Sequence, residues 1–202
     1  ILSRLVGSEM CIRDRTSSYG GTDVNNYTIT DQASTTADVT AKALTATASA
    51  ANKTYDASDT ATTTLTLSGF IGTETVTSTN SSTFNDKNVG TDKTVTVNSI
   101  TLADGTNGGL AANYSISTGQ TTTADVTAKA LSVSGITASN KTYDATTTAT
   151  LNTGSVTYTG LVSGDVFNGT YTGAFSDKNV GTGKTVTITP SYTGADVSNY
   201  SV

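Results

Sequence analysis

Thr122-Thr-Ala-Asp-Val-Thr-Ala-Lys-Ala-Leu131 is the stretch on which the fold turns, because the same ten letters stand 87 residues earlier, at Thr35 to Leu44. Other markers recur around it in fixed order. Asn-Lys-Thr-Tyr-Asp-Ala fills Asn52 to Ala57 and again Asn140 to Ala145, Asp-Lys-Asn-Val-Gly-Thr starts at Asp86 and at Asp177, and Asn-Tyr lies at Asn26, Asn113 and Asn199. Markers that keep their order over such a period mean tandem copies of one small domain. Residues 16–43 then read as the C-terminal piece of a first copy and 44–130 as a complete second copy. Residues 131–202 read as a third copy that lacks its last strand, the counterpart of Thr122 to Leu131.

Outward from this stretch the chain reads as short strands. Leu44 to Ser49 and Thr62 to Leu67 alternate in polarity, and Lys93 to Leu102 places Val95 and Val97 on one face before a shift of phase near Ser99. Thr75 to Phe84, Tyr114 to Ser117 and Ala124 to Leu131 are further candidates, with Asp-, Asn- and Gly-rich turns between them. Threonine supplies 46 residues, and its branched Cβ and hydroxyl suit a half-wet pleated surface better than a helix. The expected fold class is all-β: an antiparallel, immunoglobulin-like β-sandwich in each copy, with a β-grasp-like sheet as the alternative. At the join, Leu131 runs straight into Ser132-Val-Ser-Gly-Ile136 with no linker, so one copy's last strand is expected to lead into the next copy's first. Copies joined in this way predict a stiff, extended rod.

Residues 1–15 stand apart. They hold Cys11, Met10 and every Arg (Arg4, Arg13, Arg15) and none of the repeat markers, and Leu5 to Asp14 resembles a translated sequencing adapter. They are read as foreign to the fold. The remainder carries eight Lys, no Arg or His, and fourteen acidic residues, a net charge of −6 that gives nucleic-acid binding no basic face. No apolar run approaches the ~18 residues of a membrane span. Without Cys, no disulfide staples these copies, and each holds itself together with a modest core.

Several stretches invite a functional reading. Gly181-Thr-Gly-Lys-Thr185 echoes a phosphate-binding loop, but Lys178 stands where the first Gly of that loop belongs, and Asp92 replaces Gly183 in the sister copy. Tyr55 and Tyr143 offer faces for sugar stacking, against the alternative of Tyr packed at a corner with its hydroxyl on backbone, with Asp56 and Asp144 capping the adjacent turns. Calcium needs six to eight oxygens from clustered groups, and Asp38 and Asp125 stand alone in their strands. An internal isopeptide bond would draw on Lys53 or Lys141, Asn88 or Asn179, and the aligned acids Glu74 and Asp165. Composition rules out His or Cys pairs for nucleophilic catalysis, so no enzyme activity and no cofactor are expected.

Three motifs in order carry a family resemblance over residues 16–202. They are the Lys-Thr-Tyr-Asp opening (Lys53, Tyr55, Asp56; Lys141, Tyr143, Asp144), the Phe-x-Asp-Lys-Asn-Val-Gly-Thr centre (Phe84, Asp86, Asn88, Gly90; Phe175, Asp177, Asn179, Gly181) and the Asn-Tyr-Ser close (Asn113, Tyr114; Asn199, Tyr200). Together they resemble the YDG-type repeats of large bacterial surface proteins of the filamentous-haemagglutinin kind, with Ala57 and Ala145 where Gly is usual. The resemblance implies structural motif residues, an exported cell-surface or secreted adhesin, and these repeats as its stalk. Neighbouring repeats are then the partners of each copy, and any glycan or protein ligand is met through other domains.

Overall fold

A computed structural model of the chain describes residues 19–30 and 35–202. Residues 1–15, read above as foreign to the fold, lie outside the described residues, as does part of the first-copy piece. Strands in chain order are β1 (Lys42–Ala50), β2 (Lys53–Thr54), β3 (Thr60–Ala61), β4 (Thr63–Ser68), β5 (Val76–Phe84), β6 (Gly90–Asp104), β7 (Tyr114–Ile116), β8 (Thr121–Thr127) and β9 (Lys129–Ala130). They continue with β10 (Ser132–Ser134), β11 (Thr137–Ala138), β12 (Thr148–Ala149), β13 (Leu151–Asn152), β14 (Thr157–Thr159), β15 (Asn168–Phe175), β16 (Val186–Thr193) and β17 (Tyr200–Ser201). The protein is all-β; its helical turns are three-residue 3₁₀ segments, and no described helix is long and apolar enough to cross a membrane.

In the second copy, a five-stranded sheet of order β2-β8-β6-β5-β3 lies beside a three-stranded sheet of order β4-β1-β7. Alternation along β6 and β8 sends Lys93, Val95 and Val97, and Ala124 and Val126, inward, and Val95 and Val97 are wholly buried. The phase shift read near Ser99 is a β-bulge. Ser81 pairs with Ser99 but Ser82 pairs with Val97, which leaves Asn98 as the extra residue and keeps apolar side chains inward on both sides of it. Polar side chains left in the layers pair with one another: the Thr63 hydroxyl donates to Asn80 Oδ1 at 2.5 Å and lies 2.7 Å from the Ser82 hydroxyl.

Pairing is mixed rather than purely antiparallel. β1 runs parallel to β7, β9 parallel to β17, and β2 parallel to β8. Each of these pairs joins segments separated by most of a copy, so no hairpin dictates opposite directions. The join between copies is a strand broken twice rather than one continuous strand: β8 stops at Thr127, β9 covers Lys129–Ala130, and Leu131, 3% exposed, drops into the core before β10.

The third copy repeats the plan with two differences. Asn140 to Asp177 is three residues longer than Asn52 to Asp86, and the first hairpin, one ladder from Thr45↔Ser68 to Ala50↔Thr63, becomes two short ladders, β10–β14 and β11–β13. Gly135, at φ +86°, allows the crowding opposite this insertion, where a Cβ would lie 2.0 Å from the Ser155 carbonyl oxygen. The second difference is the sheet, which contains β12-β15-β16 and, among the described residues, nothing paired to the outer edge of β16.

Candidate functional site: the junction between copies

The repeated motifs meet where the second copy touches the third. One core cluster runs through both: Tyr55, Ala61, Phe84, Val95, Ala124 and Val126 from one side, Leu131, Phe167 and Tyr200 from the other. Tyr55 is 1% exposed, and its ring meets Tyr200 edge-on at 5.6 Å while Phe167 packs on Tyr200 at 5.7 Å.

Asp165 organises the polar part. Its Oδ2 accepts the Tyr55 hydroxyl at 2.9 Å and also the Tyr200 hydroxyl, which in turn accepts the Val162 amide at 3.0 Å. Lys87 lies 3.6 Å from the other Asp165 oxygen and 3.3 Å from Asp196, over the Tyr55 ring. With its side chain 3% exposed, the Asp165 carboxylate is out of water and compensated by one ammonium and two phenols. Burial, and then the Asp165 carboxylate, push the Tyr200 phenol up to about 12, and the same causes in the same order raise Tyr55. The Val166 amide is the main cause that holds Asp196 below its ordinary value; Lys87 acts the same way against the opposing effect of burial.

Asn199 closes the contact. Its Oδ1 accepts the Val89 amide at 3.0 Å and its Nδ2 donates to Asn88 at 3.2 Å, and it is 1% exposed. The loops that carry these groups are held locally. Asp86 accepts the Asn88 amide at 2.7 Å and the Lys93 ammonium at 2.6 Å, and Asp56 accepts the Ser58 amide at 2.9 Å and pairs with Lys53 at 2.7 Å. Gly90 gives Lys93 room to lie along the loop, since a Cβ there would sit 3.1 Å from its stem. Ala57 and Ala145 follow at φ +63° and +61°, the left-handed conformation that favours Gly.

Other candidate residues fall outside the junction. Lys53 donates to the carbonyls of Ser58 and Thr60, and Glu74 accepts the Tyr114 hydroxyl at 2.6 Å, so Lys53, Asn88 and Glu74 are not brought together as an isopeptide site would need. Lys184, the lysine of the phosphate-loop lookalike, donates to Asp177 and to the Asn179 carbonyl. Among the described residues no three His, Cys, Asp or Glu side chains are placed to share a metal ion. The Tyr55 hydroxyl goes to a carboxylate in the next copy rather than to backbone, whereas the Tyr114 and Tyr200 hydroxyls each accept a backbone amide.

The corresponding groups of the third copy are open. Tyr143 is 56% exposed and Val180 is 89% exposed, while Lys141 pairs with Asp144 at 2.9 Å, which holds that carboxyl at about 2. Phe175 is half-buried against 2% exposure for Phe84, and a cleft of about 640 Å³ runs between Asn140, Lys141, Tyr143, Phe175, Gly181 and Lys184. On the second copy, Asn113 is exposed where Asn199 is buried.

Sequence reasoning singled out Tyr55, Asn88, Asn199 and Tyr200 but not Lys87, Val89 or Asp196. The available signal was Asp23-Val-Asn-Asn26-Tyr27, which Asp196-Val-Ser-Asn199-Tyr200 repeats. A family model for the YDG domain matches residues 40–124 and again 127–202. No curated protein and no solved structure matches the chain.

Proposed function

Because the chain belongs to the YDG domain family, through two consecutive domains, we propose that it is a run of non-catalytic stalk repeats of a bacterial cell-surface or secreted adhesin, stacked as immunoglobulin-like sandwiches into a rod. The observation that carries this reading is the junction. The residues that recur from copy to copy, Tyr55, Lys87, Asn88, Asn199 and Tyr200, are spent on holding one copy against the next. A buried contact that joins two cores resists bending, which is what a spacer needs. A carbohydrate-binding module would instead present two aromatics on one concave face; in the second copy Tyr55, Phe84 and Tyr114 are each at most 6% exposed, and the Tyr143 and Phe175 that line the cleft of the third copy are the counterparts of Tyr55 and Phe84, which the second copy buries. Ligand recognition then belongs to other parts of the adhesin, and the repeats have their neighbours as partners.

Small-angle X-ray scattering, extrapolated to zero concentration, tests the reading. The expected pair-distance distribution is skewed to long distances, with a cross-section close to that of a single copy. A symmetric, compact distribution overturns the rod, and with it the stalk.

A further inference from the structure

We infer that the second copy is built to bear tension: its entry segment, Lys42 to Thr54, and its exit segment, Tyr114 to Thr127, form a shear clamp that resists stretching of the chain along its length. This goes beyond the stalk reading and does not depend on it, since the pairing belongs to the fold wherever the chain acts. The two segments run side by side in the same direction, in two steps. In the first sheet Lys42 stands beside Tyr114 and Leu44 beside Ile116; in the second, Lys53 stands beside Val126 and Thr54 beside Thr127. The register slips by one residue between the steps, while Ala51 and Asn52 on one side and Ser117 to Gln120 on the other carry the chain from sheet to sheet.

Strand direction decides what tension does. A pull along the chain enters this copy at Lys42, the N-terminal end of the first segment, and leaves beyond Thr127, the C-terminal end of the second. Parallel neighbours pulled by opposite ends must slide past one another, so all the bonds between them carry the force together. A pair pulled from one end opens one bond at a time. Forced unfolding follows the rate of crossing the unfolding barrier rather than equilibrium stability, so a few bonds placed across the sliding direction have a large effect.

With two residues, β2 offers β8 few ladder bonds, and side chains reinforce the pair. Asn52 bridges to β8: its Oδ1 accepts the Asp125 amide at 2.7 Å and its Nδ2 donates to the Asp125 carboxylate at 3.2 Å, to which the Asp92 amide also donates at 2.9 Å. The Thr127 hydroxyl donates to the Lys53 carbonyl at 3.3 Å, and the Tyr55 amide donates to the Thr127 carbonyl at 2.9 Å. Lys53 Nζ, on the Ser58 carbonyl at 2.8 Å and the Thr60 carbonyl at 3.1 Å, ties β2 to the turn that follows it. Force then passes into the third copy without slack. Lys129 and Ala130 pair in parallel with Tyr200 and Ser201 as Lys42 and Ala43 pair with Tyr114 and Ser115, and the Leu131 amide donates to the Ser201 carbonyl at 2.8 Å. Tyr55, which closes the clamp through its amide, reaches Asp165 of that copy through its hydroxyl.

Constant-force magnetic tweezers on the full chain test this, with Cys11→Ser leaving introduced cysteines as the attachment points. One pair of handles sits at Ala41→Cys and Ser132→Cys, exposed positions before the entry strand and beyond the exit strand; the other sits at Asp59→Cys and Ser132→Cys, both exposed and both beyond the C-terminal ends of β2 and β8. The first pull shears the pair and the second peels it, and the shared exit point leaves strand geometry as the difference. At one force the sheared chain should unfold at least about tenfold more slowly than the peeled one. Asn52→Ala removes the side-chain bridge from an exposed position, so it should speed unfolding about tenfold in the sheared pull and less than about twofold in the peeled pull. Equal unfolding rates of the parent chain in the two pulls overturn the proposal, as does an Asn52→Ala rate that is unchanged in the sheared pull or raised equally in both.

Discussion

The Val89 amide donates to Asn199 Oδ1 at 3.0 Å across 110 positions of sequence, and this bond joins two loops that the repeat marks independently. Asn199 is 1% exposed, so its loss strands the half-buried Val89 amide, which costs about 1–3 kcal/mol when no water replaces the partner. Asn113 holds the same place in the second copy but is exposed. Asn199→Ala should therefore lower stability by about 1–3 kcal/mol, and Asn113→Ala should change it by no more than about 0.5 kcal/mol. Urea midpoints of the two variants check the asymmetry.

The Lys87 ammonium faces two carboxylates of the next copy, Asp165 and Asp196. Lys87→Met leaves the buried Asp165 carboxylate without a countercharge, which is more damaging than losing the pair outright. The double variant Lys87→Met/Asp165→Asn removes the stranded charge while keeping an acceptor for the Tyr55 and Tyr200 hydroxyls. Its urea midpoint should lie above that of Lys87→Met alone, and a non-additive double-mutant cycle is the expected outcome. The folded state also holds the Asp196 carboxyl below its ordinary 3.8. A depressed carboxyl stabilises the fold above its unfolded value, so this contribution is lost as pH falls below about 3.8.

The strands were legible because alternation over Leu44 to Ser49 or Lys93 to Leu102 reports directly which face is buried, and even the bulge at Asn98 left its mark as a change of phase. The parallel pairs were not. Lys42↔Tyr114 and Tyr200↔Lys129 join segments most of a copy apart, and nothing local in either sequence sets their direction. The junction was half legible. Tyr55 and Asn199 recur and invite attention, but the partner of Tyr55 is Asp165, whose counterpart in the second copy is Glu74, so spacing alone does not pair them.

Alkaline pH should open the same contact. The Tyr200 phenol is pushed from its ordinary 10.0 up to about 12, so the folded chain holds that proton more tightly than the unfolded chain does. The contribution is whole below pH 10.0 and is lost progressively between 10.0 and about 12. Tyr200→Phe keeps the ring contacts with Tyr55 and Phe167 but has no proton to lose. Its stability should be lower at neutral pH and flatter over that alkaline window, as followed by urea midpoints at stepped pH.

Ala57 offers the opposite kind of change, a substitution that stabilises. It follows Tyr55 and Asp56 at φ +63°, and Ala145 sits at φ +61° in the third copy, where a Cβ crowds the following carbonyl. Left-handed geometry costs an L-residue about 1–2 kcal/mol, and Gly escapes this at an entropic cost of about 0.5–1 kcal/mol. The balance favours Gly at both positions. Ala57→Gly should raise stability by about 0.5–1 kcal/mol, because the turn is already fixed by the Asp56 carboxylate on the Ser58 amide and by Lys53. Ala145→Gly should act in the same direction, since Asp144 and Lys141 brace its turn in the same way. Thermal melts of both variants check the sign, and a fall in midpoint for either would show that the turn relaxes out of the left-handed region.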